Sequence, residues 1–390
     1  MIIETTTFEK KYMFGFFKKN LEEKAKNLLT SVAEQKGVKP KFHKLKVLDV
    51  RKETDDCVSV SFLPPVKDFH FVPGQYLTLK KKINGEELRR SYSICSSPLD
   101  GELRVAIKRV PDGRFSSWAT NELYAGDHIE VMPPIGNFIL EPSVNDNNEY
   151  VAFAAGSGIT PVLSMIKTTL KLSHSSKFTL FYGNKKTSSI IFKRELEDLK
   201  DLYLDRFEIH HVLSREDQGN DLLFGRIDKK RTASLLKKFQ PKMSARSFFL
   251  CGPETMINNV SDIIAEMGVD KKNIHFELFS SNTKTEKNIS KISSKNKKAS
   301  SSVTVILDGE KTHFEQSAKT FVLDAALAAG ADIPYACKGA VCCTCRAKVL
   351  EGSVEMAMNY SLTEEEVDEG FVLSCQTFPK SPNVVISFDD

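Results

Sequence analysis

No apolar run in this chain approaches eighteen residues, so no segment reads as a membrane span. The N-terminus, MIIETTTFEKKYMF, lacks a basic region followed by a long apolar stretch and does not read as a secretory signal. An excess of one charge is missing as well. The 55 Lys and Arg stand against 51 Asp and Glu, a net +4, which makes no case for a nucleic-acid partner. Tryptophan occurs once, as Trp118, and reads as core. What remains is an ordinary globular composition, 27% charged and 41% hydrophobic, in 390 residues, enough for two or three domains. The expected location is the cytoplasm, where thiols stay reduced and cysteines serve metals more than disulfides.

Cysteine is not scarce. Four of the eight fall within the stretch YACKGAVCCTC, residues 335–345. Cys337 is followed after four residues by Cys342, and that after two by Cys345. Cys375 follows after twenty-nine more intervening residues. C-x4-C-x2-C with a distant fourth cysteine is the plant-type [2Fe–2S] ligand spacing. Cys343 lies inside the run and reads as a bystander thiol. Gly339 is expected to curl the loop so that its amides face the sulfurs, followed by a second small residue, Ala340. A zinc site also takes four cysteines, but structural zinc spacing is usually paired C-x2-C knuckles, which this is not.

Charge and composition divide the chain. Residues 301–390 carry fourteen Asp and Glu against six Lys and Arg, while the remainder is basic. The asymmetry suggests separate units. Residues 280–302 are almost wholly Ser, Lys, Asn and Thr, a linker composition that spans about 25 Å as a flexible coil. Residues 41–147 hold short alternating runs such as CVSVSFLPP and LRVAIKRV between Gly and Pro, predicting a small antiparallel barrel or sandwich. In residues 148–279 apolar strands (YVAFAAG, FTLFYG, SFFLCGP) alternate with helical patterns, predicting a parallel α/β sheet. In residues 1–40, Phe14, Phe17, Leu21, Ala25, Leu28 and Val32 lie close to one helical face. That face could pack on the protein itself, on a partner, or on a membrane surface.

Four short motifs carry chemistry. In RRSYS, Arg90 can clamp a phosphate, Tyr92 shares its strand face and can stack on a ring, and Ser93 can bond a polar ring edge. In KRVPDGRFSSW, Lys108 is followed by Gly113, Arg114, Phe115 and Ser116 at the opening of a helix, whose free amides form an anion site. The plain alternative makes Ser116 a helix N-cap. AAGSGITP follows a strand and opens a helix; Gly156 and Gly158 permit close approach to a pyrophosphate, and Thr160 and Pro161 lead into the helix, with Pro161 suited to its first position. LCGP puts Cys251, Gly252 and Pro253 at the carboxyl end of another strand, where α/β sheets bind ligands.

In this order, with the cysteine spacing after them, Arg90–Ser93, Gly113–Ser116, Gly156–Pro161 and Cys251–Pro253 resemble the ferredoxin–NADP reductase family. With the C-terminal cluster unit the chain is similar to oxygenase-associated reductases, above all those serving di-iron acyl-CoA epoxidases and hydroxylases. The resemblance covers about residues 43–279 and 302–390. Behind an N-terminal helical extension (1–40) that the resemblance does not cover, it implies a multidomain protein: an antiparallel flavin barrel (41–147), an NAD(P) α/β domain (148–279), a linker (280–302) and an α+β plant-type ferredoxin domain (303–390). It implies that Arg90, Tyr92, Ser93 and Lys108 hold the flavin, with Gly113, Arg114, Phe115 and Ser116 at its pyrophosphate. Gly156, Gly158, Thr160, Pro161, Gly252 and Pro253 cradle the nicotinamide nucleotide. Ser93 and Cys251 flank the hydride path, and Glu277 and Phe279 of HFELF close over the flavin. Cys337, Cys342, Cys345 and Cys375 ligate the iron. FAD is favoured over FMN. Ser214 and Arg215 resemble the segment that grips a 2′-phosphate, which favours NADPH over NADH. The implied flow runs from NADPH through flavin and cluster to an oxygenase. The alternatives are a donor to a membrane desaturase or hydroxylase or to a cytochrome P450, and an iron–sulfur sensor that does not turn over.

Overall fold

In the computed structural model, residues 41–64, 69–240, 243, 245, 247–279, 300–317 and 319–390 are described. The expected N-terminal helix and most of the expected linker lie outside them. The last three residues of the Ser/Lys-rich stretch, Ser300–Ser302, are strand.

The first unit is an antiparallel sheet of six strands. They are β1 (His43–Thr54), β2 (Cys57–Leu63), β3 (Tyr76–Ile83), β4 (Glu86–Ser93), β5 (Leu103–Lys108) and β6 (His128–Ile135), in the order β4-β3-β6-β1-β2-β5. A bridge between Ile94 and Val105 joins the two ends, so the sheet closes into a barrel. Alternation builds it: Leu45 and Val47 of β1 are buried between solvent-facing lysines, and Leu77 and Leu79 of β3 enter the same core. Helix α1 (Arg114–Glu122) packs Phe115 and Ala119 against this core, with Trp118 half-buried beside them.

The second unit is a parallel sheet. Its strands are β7 (Glu149–Ala155), β8 (Lys177–Asn184), β9 (Phe207–Leu213), β10 (Ser247–Cys251) and β11 (Ile274–Glu277), ordered β11-β10-β7-β8-β9. Strand β7 is almost continuously apolar because α2 (Ile159–Leu172) and α3 (Lys193–Leu202) cover one side of the sheet and α4 (Lys229–Phe239) and α5 (Glu254–Glu266) the other. The chain runs β7-β8-β9 one way, then returns to add β10 and β11 on the far side of β7. The reversal point between β7 and β10 is where such sheets open a ligand crevice. Helix α2 also seats the barrel: Ser164 donates to the Ser96 carbonyl at 2.6 Å, and Lys167 pairs with Asp100 at 2.7 Å.

The third unit has the mixed sheet β13-β12-β18-β14-β16, made of β12 (Ser300–Leu307), β13 (Glu310–Ser317), β14 (Arg346–Glu351), β16 (Phe371–Leu373) and β18 (Asn383–Ser387). Strands β15 (Val354–Met356) and β17 (Thr377–Pro379) pair beside it. Helix α6 (Val322–Ala328) crosses it, and the short α7 (Glu364–Asp368) opens on a Thr363–Glu366 capping box. The cysteine loop, residues 337–345, lies between α6 and β14.

Candidate functional site

Strand β4 ends in Arg90, Tyr92 and Ser93 because the pairing with β3 holds Leu79 opposite Arg90 and Tyr76 opposite Ser93. Alternation sends Arg90 and Tyr92 to one side. Helix α1 starts beneath them. Gly113 is its N-cap and has no side-chain cap, so the first amides of α1 are left for a ligand. A Cβ on Gly113 would meet Val110 Cγ2 at 2.4 Å, so glycine is required. Ser116 is not the cap. It lies inside the first turn, where its hydroxyl donates to the Gly113 carbonyl at 3.1 Å and accepts the Val110 N–H at 3.2 Å, folding the loop back on itself.

At the reversal point, Gly156 takes a left-handed φ of 55°, and a Cβ on Gly158 would stand 2.0 Å from the Cys251 carbonyl oxygen. The two motif loops of the parallel sheet are therefore packed backbone on backbone. Pro161 is the third residue of α2, not the first, because residues 156–158 form a 3-10 turn that runs into the helix. It is tolerated there since the first-turn N–H groups have no helical acceptor. Cys251, fully buried, ends β10 in register with Glu277 on β11; burial keeps it a thiol. Ser93 donates to Glu277 Oε2 at 3.1 Å. Desolvation raises the Glu277 carboxyl to about 8, with the Ser93 hydrogen bond acting against it.

The barrel residues converge on one cavity of about 720 Å³, within the usual range for ligand pockets. Arg90, Tyr92, Ser93, Lys108, Gly113, Arg114, Phe115 and Ser116 line it from the barrel, and Ser157, Glu277 and Phe279 from the parallel sheet. The opposite wall is Tyr335, Ala336, Cys337, Lys338, Val341 and Cys342 of the third unit. The expected flavin residues and two of the expected iron ligands thus share a single cavity. Ser214 and Arg215 stand apart, past the end of β9. Their N–H groups donate to the Asn184 and Lys185 carbonyls at 2.9 Å each, which places Arg215, exposed, beside exposed Lys185 and Lys186.

The cysteines stand in two pairs. Cys337 and Cys342 sulfurs are 3.1 Å apart, and Cys345 and Cys375 are hydrogen-bonded to each other. In each pair the shared hydrogen bond pulls one thiol below its ordinary range, Cys342 to about 6 and Cys375 likewise downward, and pushes the other up. Two thiolates for each of two irons is the donor set a [2Fe–2S] cluster takes. Cys343 lies off this set: its thiol points to the Ser361 carbonyl at 3.4 Å and burial raises it to about 12. The loop curls at Lys338 (φ 54°) and Ala340 (φ 62°), not at Gly339. Two strained non-glycine residues are held there because Ala340 is fully buried and the Gly339 N–H is fixed on Cys337 Sγ at 3.3 Å.

Two barrel residues outside the expected site, Tyr76 and Arg89, seat the loop on the barrel. Tyr76 Oη accepts the Cys343 N–H at 3.0 Å and lies 3.2 Å from Thr344 Oγ1. Buried Arg89 reaches Asp332 at 3.1 Å and stacks over the Tyr335 ring at 4.5 Å. The doubled arginine of RRSYS was the available signal, since alternation sends Arg89 to the face opposite Arg90. Nothing local marked Tyr76.

Residues 44–139 match the oxidoreductase FAD-binding domain family, 153–262 the oxidoreductase NAD-binding domain family, and 305–380 the 2Fe-2S iron-sulfur cluster binding domain family. The chain is 43% identical over 352 residues to one of the subunits of 1,2-phenylacetyl-CoA epoxidase from Escherichia coli K12, covering 89% of this chain and 98% of that one. It belongs to the ferredoxin–NADP reductase family, in the branch with a C-terminal plant-type [2Fe–2S] domain. This branch includes the ferredoxin reductase component of Mycobacterium tuberculosis 3-ketosteroid-9-alpha-monooxygenase, 32% identical over 89% of this chain and 96% of the relative. Phthalate dioxygenase reductase shares the fold, with a TM-score of 0.54 at 24% identity over 89% of this chain and 98% of that chain. An intact type IV self-sufficient cytochrome P450 monooxygenase does so over 88% of this chain and 41% of its own, with a TM-score of 0.65 at 23% identity. The chain is accordingly an oxygenase-reductase oxidoreductase that uses FAD, a [2Fe–2S] cluster and a nicotinamide nucleotide. Among the described residues no helix is long and apolar enough to cross a membrane.

Proposed function

We propose that this chain takes a hydride from NADPH and supplies single electrons to a di-iron oxygenase whose substrate is an aromatic acyl-CoA, phenylacetyl-CoA or a near analogue. The substrate class rests on the relative at 43% identity, well above the 32% of the ketosteroid system. The observation that carries the electron route is the common cavity: flavin residues form one wall and Cys337 and Cys342 the other.

The working units in this reading are residues 41–147 for flavin, 148–279 for nicotinamide and 303–390 for the cluster. When bound, the flavin takes two electrons at once and releases them singly, and the cluster accepts one at a time. The chain's own groups bind, orient and shield. Arg90 and Lys108 meet phosphate, Tyr92 stacks on the ring system, and the α1 amides from Gly113 to Ser116 face the pyrophosphate. Ser93 would lie at the flavin's reactive edge, with its hydrogen-bond partner Glu277 behind it. Below about pH 8 that carboxyl keeps its proton and adds no charge beside the ring. Cys251, Gly252 and Pro253 with Gly156–Pro161 hold the nicotinamide against this edge, and Phe279 covers it. Arg215, Lys185 and Lys186 gather positive charge where an adenosine 2′-phosphate would lie, and the Ser214 hydroxyl would add a hydrogen bond, which favours NADPH. The cytoplasm is the location this reading takes, since thiolates that hold a cluster must stay reduced.

The test is reconstitution. The purified holoprotein, NADPH and the phenylacetyl-CoA epoxidase oxygenase components should turn over phenylacetyl-CoA, and NADH should serve less well. Turnover with a ketosteroid oxygenase and none with the acyl-CoA system would overturn the substrate class.

A further inference from the structure

We propose that Arg89 is the positioning residue for the electron step between flavin and cluster: its guanidinium, held on Asp332 and on the Tyr335 ring, fixes the segment that carries Cys337 against the flavin cavity. The proposal rests on the electron route across that cavity and names the contact that sets its geometry. The step moves one electron from reduced flavin to oxidised cluster and makes or breaks no bond. Alignment is therefore what the chain itself contributes.

Residues 332–337 belong to no helix or strand. No backbone ladder fixes their course, and side chains do so instead. Ile333, fully buried, anchors the segment in the cluster domain's own core. Ala336 and Cys337 join a small apolar cluster with Cys342 and with Tyr76 and Ile135 of the barrel. That cluster spans the seam between the two units, but apolar contact is non-directional and sets no orientation. Orientation comes from the rim. Arg89 donates to Asp332 at 3.1 Å, and its guanidinium lies 4.5 Å from the centre of the Tyr335 ring. A planar, forked cation serves a carboxylate and an aromatic face at once, which the point charge of a lysine does less well. Tyr335 stands two residues before Cys337, and both line the flavin cavity with Arg89.

Charge and burial agree with this role. Arg89–Asp332 is the one ion pair between described residues that crosses from barrel to cluster unit, and its sign follows the excess of acid in residues 301–390 and of base in the rest. Arg89 is 6% exposed and Asp332 86%. Within the barrel, Glu87 accepts from Arg89 Nε at 2.9 Å, so the guanidinium keeps a partner of its own. Removing the arginine leaves Glu87 and Asp332 as solvated carboxylates and strands no buried charge. Its replacement therefore loosens the seam without unfolding the barrel. Tyr76 holds the Cys343 end of the loop, and Arg89 holds the Cys337 end.

The experiment mixes the holoprotein anaerobically with NADPH in a stopped-flow instrument. In Arg89→Met, which keeps an apolar stem, the flavin band should fall at a rate within about twofold of the parent, and the cluster band should follow about tenfold or more slower than in the parent. Arg89→Lys, which keeps the charge without the fork, should lie between the two. Asp332→Asn should slow the cluster band by about threefold in the parent and not at all in Arg89→Met, as a shared contact requires. It alters only an exposed side chain, so it tests the contact even where Arg89→Met loses flavin. Amide exchange reads the seam without turnover: the Cys343 N–H, closed on Tyr76, should exchange about threefold or more faster in Arg89→Met, with the β12–β13 hairpin unchanged. An unchanged cluster band in Arg89→Met, or an effect of Asp332→Asn that persists there, overturns the positioning role. A flavin band that slows in step with the cluster band also does so, since it would place Arg89 in flavin binding. Cluster bleaching in the parent that scales with protein concentration overturns the electron route, and the proposal with it.

Discussion

The hydroxyl of Tyr76, on the third barrel strand, accepts the backbone N–H of Cys343 inside the iron-ligand loop at 3.0 Å. One hydrogen bond thus joins the flavin barrel to the peptide beside Cys342, a proposed iron ligand, across 267 positions of sequence. It is buried, since Tyr76 is 3% exposed, and burial holds its phenol well above the ordinary range, so the group stays protonated.

Tyr76→Phe keeps the ring and removes the acceptor. A single hydrogen bond of this kind contributes about 0.5–1.5 kcal/mol. Amide exchange at Cys343 should therefore speed up by about 2- to 10-fold, with exchange in the β12–β13 hairpin unchanged. Unaltered exchange at Cys343 would mean that the contact does not hold the loop.

Glu277 gives a pH dependence. Its folded-state pKa is raised from 4.5 to about 8, so between those values the folded protein keeps a proton that the unfolded chain has lost. The flavin-free protein should lose stability as pH rises through this window, and the loss should be complete above about pH 8. Glu277→Gln cannot ionise. The fall in Tm between pH 6 and pH 9 should be smaller in this variant than in the parent, and equal falls would show that the carboxyl titrates normally.

The cysteine loop separates ligand from bystander. Cys343→Ser should keep two irons per chain and an unchanged visible spectrum, because its thiol faces the Ser361 carbonyl and not the paired sulfurs. Cys375→Ser should lose iron while retaining flavin and NADPH–ferricyanide activity. Iron analysis and visible spectra decide both, and full iron content in Cys375→Ser would refute the ligand set.

Arg215→Ala should raise the KM for NADPH by about 10-fold or more and leave that for NADH nearly unchanged, with kcat kept. A charged hydrogen bond contributes about 1.5–3 kcal/mol, or about 10- to 100-fold in affinity. Lys185 beside it, whose carbonyl accepts the Arg215 N–H, places the effect at the lower end. Equal losses with both nucleotides would make Arg215 an ordinary loop residue.

These contrasts also show which parts were legible in the chain. The gathering of Cys337, Cys342, Cys345 and Cys375 into two pairs was, because three of the four share one short loop. So was the parallel sheet, since an unbroken run such as YVAFAA reports its own burial; CVSVSFL and LRVAIK read as strands, but their alternation did not foretell that Ser59, Ser61 and Arg104 are buried too. The Gly113 and Gly158 turns announced themselves because no side chain fits there. Local detail was less faithful. Ser116 sits within the helix rather than at its cap, and the loop bends at Lys338 and Ala340, whose left-handed backbone is imposed by packing and not by residue type. Least legible was the assembly of the cavity. Tyr76 with Thr344, and Arg89 with Asp332, are tertiary contacts between residues more than 240 positions apart, and no periodicity encodes them.

The central claim is that nicotinamide reduces the flavin and that electrons then pass from flavin to cluster across one shared cavity. Anaerobic stopped-flow mixing of the holoprotein with NADPH tests it most directly, followed at the separate absorbance bands of flavin and iron–sulfur cluster. The flavin band should fall first and the cluster band should follow within the same turnover, at a rate independent of protein concentration. Cluster bleaching that lags by many turnovers, or that scales with protein concentration, would contradict it.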